Sequence, residues 1–102
     1  MGQTIRGAMK LVLTHELRKA AERCVWFEPP EMALKDPARL AAHIFTYGGR
    51  DDVRALQSQI TQDDLRLLLD TAPPGIYDPR SWAYWNLMAG RYTTPPMPQR
   101  HL

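Results

Sequence analysis

One cysteine, two phenylalanines, six glycines and no apolar run approaching a bilayer's thickness leave several familiar designs out of reach of this chain. A lone thiol, Cys24, excludes an intrachain disulfide framework and fits a reducing compartment. Its neighbours, Val25, Trp26 and Phe27, mark it as a small buried hydrophobe. A membrane-spanning helix needs about 20 apolar residues, and no such stretch occurs. The start, MGQTIRGAMK, has no apolar core ahead of a small-residue cleavage site, so secretion is not expected. Arg6 stands where a myristoylation signal wants Ser or Thr. Charge of one sign is also missing. Thirteen Lys and Arg against eleven Asp and Glu give a net charge of +2, well mixed along the chain, unlike the clustered basic face of a dedicated nucleic-acid or membrane binder.

Catalytic signatures are equally sparse. His15-Glu16 is not followed by the second histidine of a helical zinc pair, and Gly48-Gly49 lacks the pattern of a phosphate-cradling loop. His43 lies beside an apolar helical stripe, where a boundary histidine is expected, and His101 sits on an expected mobile terminus. Asp51, Asp52, Asp63, Asp64 and Asp70 resemble a constellation, but most fall in the first turns of helices, where the macrodipole favours carboxylates. No catalytic residue, cofactor site or metal site is assigned, and the chain is expected not to be an enzyme.

What is present is helical periodicity. The 102 residues suit one domain, 44% of them hydrophobic. The expected organisation is a flexible N-terminus over 1–8, an all-α domain of about five short helices over 9–92, and an extended proline-rich tail over 93–102. The first helix is expected from Met9 to Cys24, with Leu13, Leu17, Ala20, Ala21 and Cys24 on one face and Arg18, Lys19, Glu22 and Arg23 outside. Pro29 and Pro30 then forbid a continuing helix and favour an extended or turn segment. Asp36-Pro37 reads as N-cap and first helical position, opening a helix with Leu40, Ala41, Ile44 and Phe45 inward. That helix is expected to stop at Gly48-Gly49, with glycine supplying a positive-φ cap. A short helix follows over Asp51–Gln59, Thr61 caps another that buries Leu65, Leu68, Leu69 and Ala72, and Asp78-Pro79 opens the last, ending at Gly90.

The last helix carries RSWAYW, two of the chain's three tryptophans and a tyrosine in six positions. Apolar side chains cover more than half its circumference, so one side faces the core and the other needs cover from another helix, the tail or a partner. Trp85, mid-helix, is expected in the core, and Trp82, in the first turn, at the rim. Trp, Tyr and Arg are enriched at protein interfaces, so Arg80, Trp82, Tyr84, Arg91 and Tyr92 form the candidate partner-binding set. The helices over 51–59 and 61–72 also have helix–turn–helix spacing, which makes a DNA-binding regulator the alternative. Gln62, Asp63 and Asp64 would then begin the recognition helix, and two carboxylates facing a polyanion oppose binding.

Three stretches, WFEP, HIFTYGGRDDVRAL and GIYDPRSWAYWNLMAG, resemble the pattern of a small uncharacterised helical bacterial family found near AbiEii-type nucleotidyltransferase toxin genes. The likeness runs from Trp26 to about Gly90. The N-terminal helix and the longer proline-rich tail depart from it. The resemblance implies an antitoxin-like companion of a nucleotidyltransferase-type toxin, with no catalytic residue to carry across. The expected action is steric, the Trp/Tyr/Arg surface near the last helix and the proline-rich tail docking on the partner and blocking its active site. A cytoplasmic protein with a protein partner, no nucleic acid and no membrane is the resulting expectation.

Overall fold

Helix begins at His15 and not at Met9. The computed structural model describes residues 9–99, and within them Thr14 is the N-cap of α1 (His15–Cys24), its hydroxyl accepting from the Leu17 N–H at 3.1 Å. The residues before it run without helix and alternate. Met9, Leu11 and Leu13 lean on the core while Lys10 and Val12 face out, the period-two habit of an extended chain. The Gln59 side chain holds this segment as a neighbouring strand would, its amide accepting from the Val12 N–H at 2.7 Å and donating to the Val12 carbonyl at 2.8 Å. The residues 1–8, expected to be flexible, and His101 lie outside the described residues.

Five more helices follow: α2 (Pro30–Ala33), α3 (Pro37–Tyr47), α4 (Arg50–Gln57), α5 (Gln62–Asp70) and α6 (Pro79–Met88), with no strand among the described residues. The fold is all-α, with six helices where about five were expected. The addition is α2, a single turn that the two prolines start: Pro30 takes the first helical position, where its missing N–H costs nothing. The Asp-Pro pairs work as expected. Asp36 accepts from the Arg39 N–H at 3.2 Å and Asp78 from the Ser81 N–H at 2.7 Å. Thr61 and Asp64 cap α5 reciprocally, each side chain accepting from the other's backbone N–H.

Gly48 corrects an expectation. Its φ is −78°, so no left-handed cap ends α3. Glycine is needed there for closeness instead. A Cβ at Gly48 would lie 2.6 Å from the Ile44 carbonyl oxygen, 2.9 Å from the Asp52 Cβ and 3.3 Å from the Cys24 Sγ. A left-handed glycine does stand at the end of α6, where Gly90 has φ +88°; Gly75, in the turn before that helix, has φ +90°. The Gly90 N–H donates to the Leu87 carbonyl and the Arg91 N–H to the Asn86 carbonyl, both at 2.9 Å, the paired bonds of a Schellman motif.

Helix α3 is the centre of the domain and touches each of the other five helices. Its Ala38, Ala41 and Ala42 are buried together with Leu40, Ile44 and Phe45; the small side chains let neighbours approach on several sides at once. Helices α1 and α4 form the most extensive pair, sealed around Leu17, Ala20, Ala21 and Leu56. Helices α4 and α5 each pack on α3 and not on one another.

Candidate functional site

The aromatic helix resolves into an inner and an outer face. Trp82, Trp85, Asn86 and Ala89 are buried at helical spacing. Trp85 stacks on Phe45 with ring centroids 4.0 Å apart and donates its indole N–H to the Phe45 carbonyl at 3.2 Å. Its expected place in the core is what the structure shows. Trp82, expected at the rim, is buried as well, with 4% of its surface exposed. The reason is the tail: residues 93–99 fold back, and the Pro95 carbonyl accepts the Trp82 indole N–H at 2.7 Å. Beneath, Tyr77 meets the Trp82 ring edge-on at 5.2 Å.

Arg91 is likewise committed to the fold. It pairs with Asp70 at the end of α5 at 2.8 Å and donates to the buried Asn86 side chain at 3.1 Å. Asn86 is otherwise satisfied by donating to the Trp82 carbonyl. Of the five candidate residues, Arg80, Tyr84 and Tyr92 remain exposed. Arg80 and Tyr84, with Leu87 and Met88, form a stripe along the outer face of α6.

A second exposed aromatic group was not singled out in the sequence. Trp26 is 77% exposed and Tyr47 66%, with Phe27 half exposed and His43 partly buried between them. Their rings follow one another at centroid distances of 5.6 Å (Trp26–Phe27), 5.7 Å (Phe27–His43) and 6.0 Å (His43–Tyr47). Trp26 and Phe27 come from the loop after α1; His43 and Tyr47 stand one turn apart on α3. Arg39, one turn before His43, lies 6.0 Å from the Phe27 ring and pairs with Glu28. Burial, followed by the nearby Arg39 charge, lowers the His43 pKa, so the centre of the face disfavours a charged imidazole. The i, i+4 spacing of His43 and Tyr47 was a readable signal. Trp26-Phe27 was not, because an aromatic pair beside a helix end reads equally as core.

The polar groups nearby are structural. Asp52, buried at the start of α4, accepts from the Gly49 N–H at 3.0 Å and from the Arg23 Nε at 2.9 Å. Burial works against its charge, but these bonds outweigh it and hold the carboxyl below its usual pKa. Burial and the Asp52 charge push the Cys24 thiol up to about 11, which keeps it protonated and poorly nucleophilic. Arg66 pairs with Asp63 and donates to the Ala89 carbonyl at 3.0 Å, while Gln62 donates to the Met88 carbonyl at 2.9 Å. The would-be recognition helix thus spends two side chains on the open carbonyls at the end of α6. Among the described residues no three His, Cys, Asp or Glu side chains gather closely enough to hold a metal ion, and no helix is long and apolar enough to cross a membrane. The chain matches no family model, no curated protein and no solved structure.

Proposed function

We propose that this chain is a cytosolic, non-enzymatic protein-interaction module, the antitoxin-like companion of a nucleotidyltransferase-type toxin, and that it docks through Trp26, Phe27, His43 and Tyr47. The observation that carries this reading is the continuous run of four rings with Trp26 and Tyr47 largely in solvent. Interface anchors are drawn from such residues, because aromatic rings bring much contact area for few frozen torsions. Arg39, ion-paired beside the rings, supplies a charged margin. The action is steric: the module covers the partner's active site and stops nucleotide transfer. A DNA-binding regulator is less well supported. Helices α4 and α5 are not packed as a pair, and Arg66 is already occupied.

The test is co-expression with the product of the adjacent reading frame in the native host. The wild-type chain should co-purify with it stoichiometrically and suppress its nucleotide transfer. A Trp26→Ser, Tyr47→Ser double variant should lose both while keeping the wild-type melt, since exposed substitutions usually change stability by no more than about 0.5 kcal/mol each. Absence of a complex, or a complex indifferent to both substitutions, removes the proposal.

A further inference from the structure

Residues 93–99 carry no helix or strand, yet their conformation is tightly restricted. Three prolines fall within four positions, Pro95, Pro96 and Pro98. Proline fixes φ near −65°, and any residue that precedes a proline is driven to extended ψ. Pro95 satisfies both conditions, and Thr94 and Met97 the second, so the segment is steered into polyproline II. That helix repeats every three residues. Pro95 and Pro98, three apart, are both partly buried, and Pro96 between them faces solvent.

This segment lies over a hollow of about 210 Å³ lined by Leu69, Asp70, Ala72 and Trp82 together with the prolines themselves. The polar contact is the Trp82 indole N–H on the Pro95 carbonyl at 2.7 Å. An aromatic ring, the apolar Leu69 and Ala72 beside the Arg91-paired Asp70, and an indole donor aimed at a proline carbonyl are the elements of a groove for polyproline II. The helix has no internal hydrogen bonds, so its carbonyls stand free to accept.

We propose that the Trp82 groove is a recognition site for proline-rich segments with Pro-x-x-Pro spacing, held closed in cis by residues 93–99 and opened by such a segment of a partner protein. The strap's grip is narrow. Beyond Arg91 none of the described tail residues joins a backbone–backbone hydrogen bond, and its hold is the Trp82 bond, the packing of Met97 on the core and the partly buried Pro95 and Pro98. Arg91 is anchored by Asp70 and Asn86, so only Tyr92, Thr93 and Thr94 separate a fixed point from the groove, and all three are exposed. So short a tether gives an effective concentration of about millimolar. A second copy offering the same tail at micromolar concentration cannot compete. A partner segment with more contacts per turn can. This surface is separate from the exposed Trp26–Tyr47 rings, and its test does not depend on them.

The probe is a fluorescein-labelled peptide of residues 92–99, titrated by anisotropy against the full chain and against a full-length Pro95→Ser, Met97→Ser, Pro98→Ser variant whose own strap is weakened. The peptide should bind the variant at least about tenfold more tightly than wild type, because closure in cis lowers apparent affinity by the open fraction. A peptide with both Pro95 and Pro98 replaced by Ala should not bind. Adding Trp82→Phe, which keeps the ring and removes the donor, should weaken binding about tenfold. If that protein does not fold, Ala72→Gln, which narrows the hollow from its wall, should give the same loss. Equal binding to wild type and variant, or none to a folded variant, overturns the proposal. A strap variant that fails to fold makes the segment part of the core and overturns it too. A concentration-dependent wild-type dimer that disappears in the strap variant assigns the groove to a second copy's tail and overturns the partner reading.

Discussion

Asp52 serves three neighbours at once: the backbone at the start of α4, the Arg23 guanidinium and the Cys24 thiol, 3.9 Å away. A carboxylate in that position couples the α1–α4 seam to proton concentration. Its pKa is lowered in the folded chain, so its stabilisation is complete above the unfolded value of about 3.9 and is lost as pH falls through the folded value. Asp52→Asn keeps the shape and one acceptor but removes the charge. At pH 7 the variant should be less stable by about 1–2 kcal/mol, toward the low end for a charged hydrogen bond because the Arg23 head is half in solvent. Denaturant melts from pH 7 to pH 2.5 should show wild type converging on the variant below about pH 4. Glu31 and Asp78 are also lowered and contribute in the same window, so the readout is the difference between the two curves. Parallel curves down to the lowest pH would show that Asp52 does not titrate with folding.

Elements differ in how openly their boundaries are written. The Asp-Pro starts of α3 and α6 and the Thr61 start of α5 were legible, because each places a side-chain acceptor beside orphaned N–H groups. The start of α1 was missed although Thr14 is a competent cap: Met9, Leu11 and Leu13 fit a helical stripe as well as an alternating strand, and Gln59, 47 positions away from Val12, decides between them. The burial of Trp82 depends likewise on Pro95, which no local pattern reveals. Of the candidate site, Arg80, Tyr84 and Tyr92 are exposed, whereas Trp82 and Arg91 hold the fold, and Trp26 and Tyr47 were not among the candidates. At the α3–α4 junction glycine was recognised for the wrong reason. Gly48→Ala meets no backbone strain at φ −78°, yet its methyl group would press on Ile44, Asp52 and Cys24 together. Overpacking of this kind costs about 1–3 kcal/mol. Guanidinium melts should find the variant less stable by that amount, and an unchanged midpoint would mean that the three elements yield freely.

Across the whole molecule, α3 is the hub on which α1, α2, α4, α5 and α6 rest, while the strap and the single turn of α2 lie at the periphery. Apart from α3, the described helices meet only as α1 with α4, α1 with α2 and α5 with α6. The consequence appears in how the molecule opens. An element that touches one or two neighbours can detach and return while the rest stays folded, but α3 is released only when all its contacts fail together. Amide hydrogen exchange orders such events by free energy. The N–H groups of Ala41 to Phe45 should exchange slowest, at the rate set by global unfolding. Those at the end of α6 should exchange sooner, and those of α2 soonest among the helices. Protection spread evenly over all six helices would instead describe a domain that opens as one unit, with no subordinate parts for a partner to exploit.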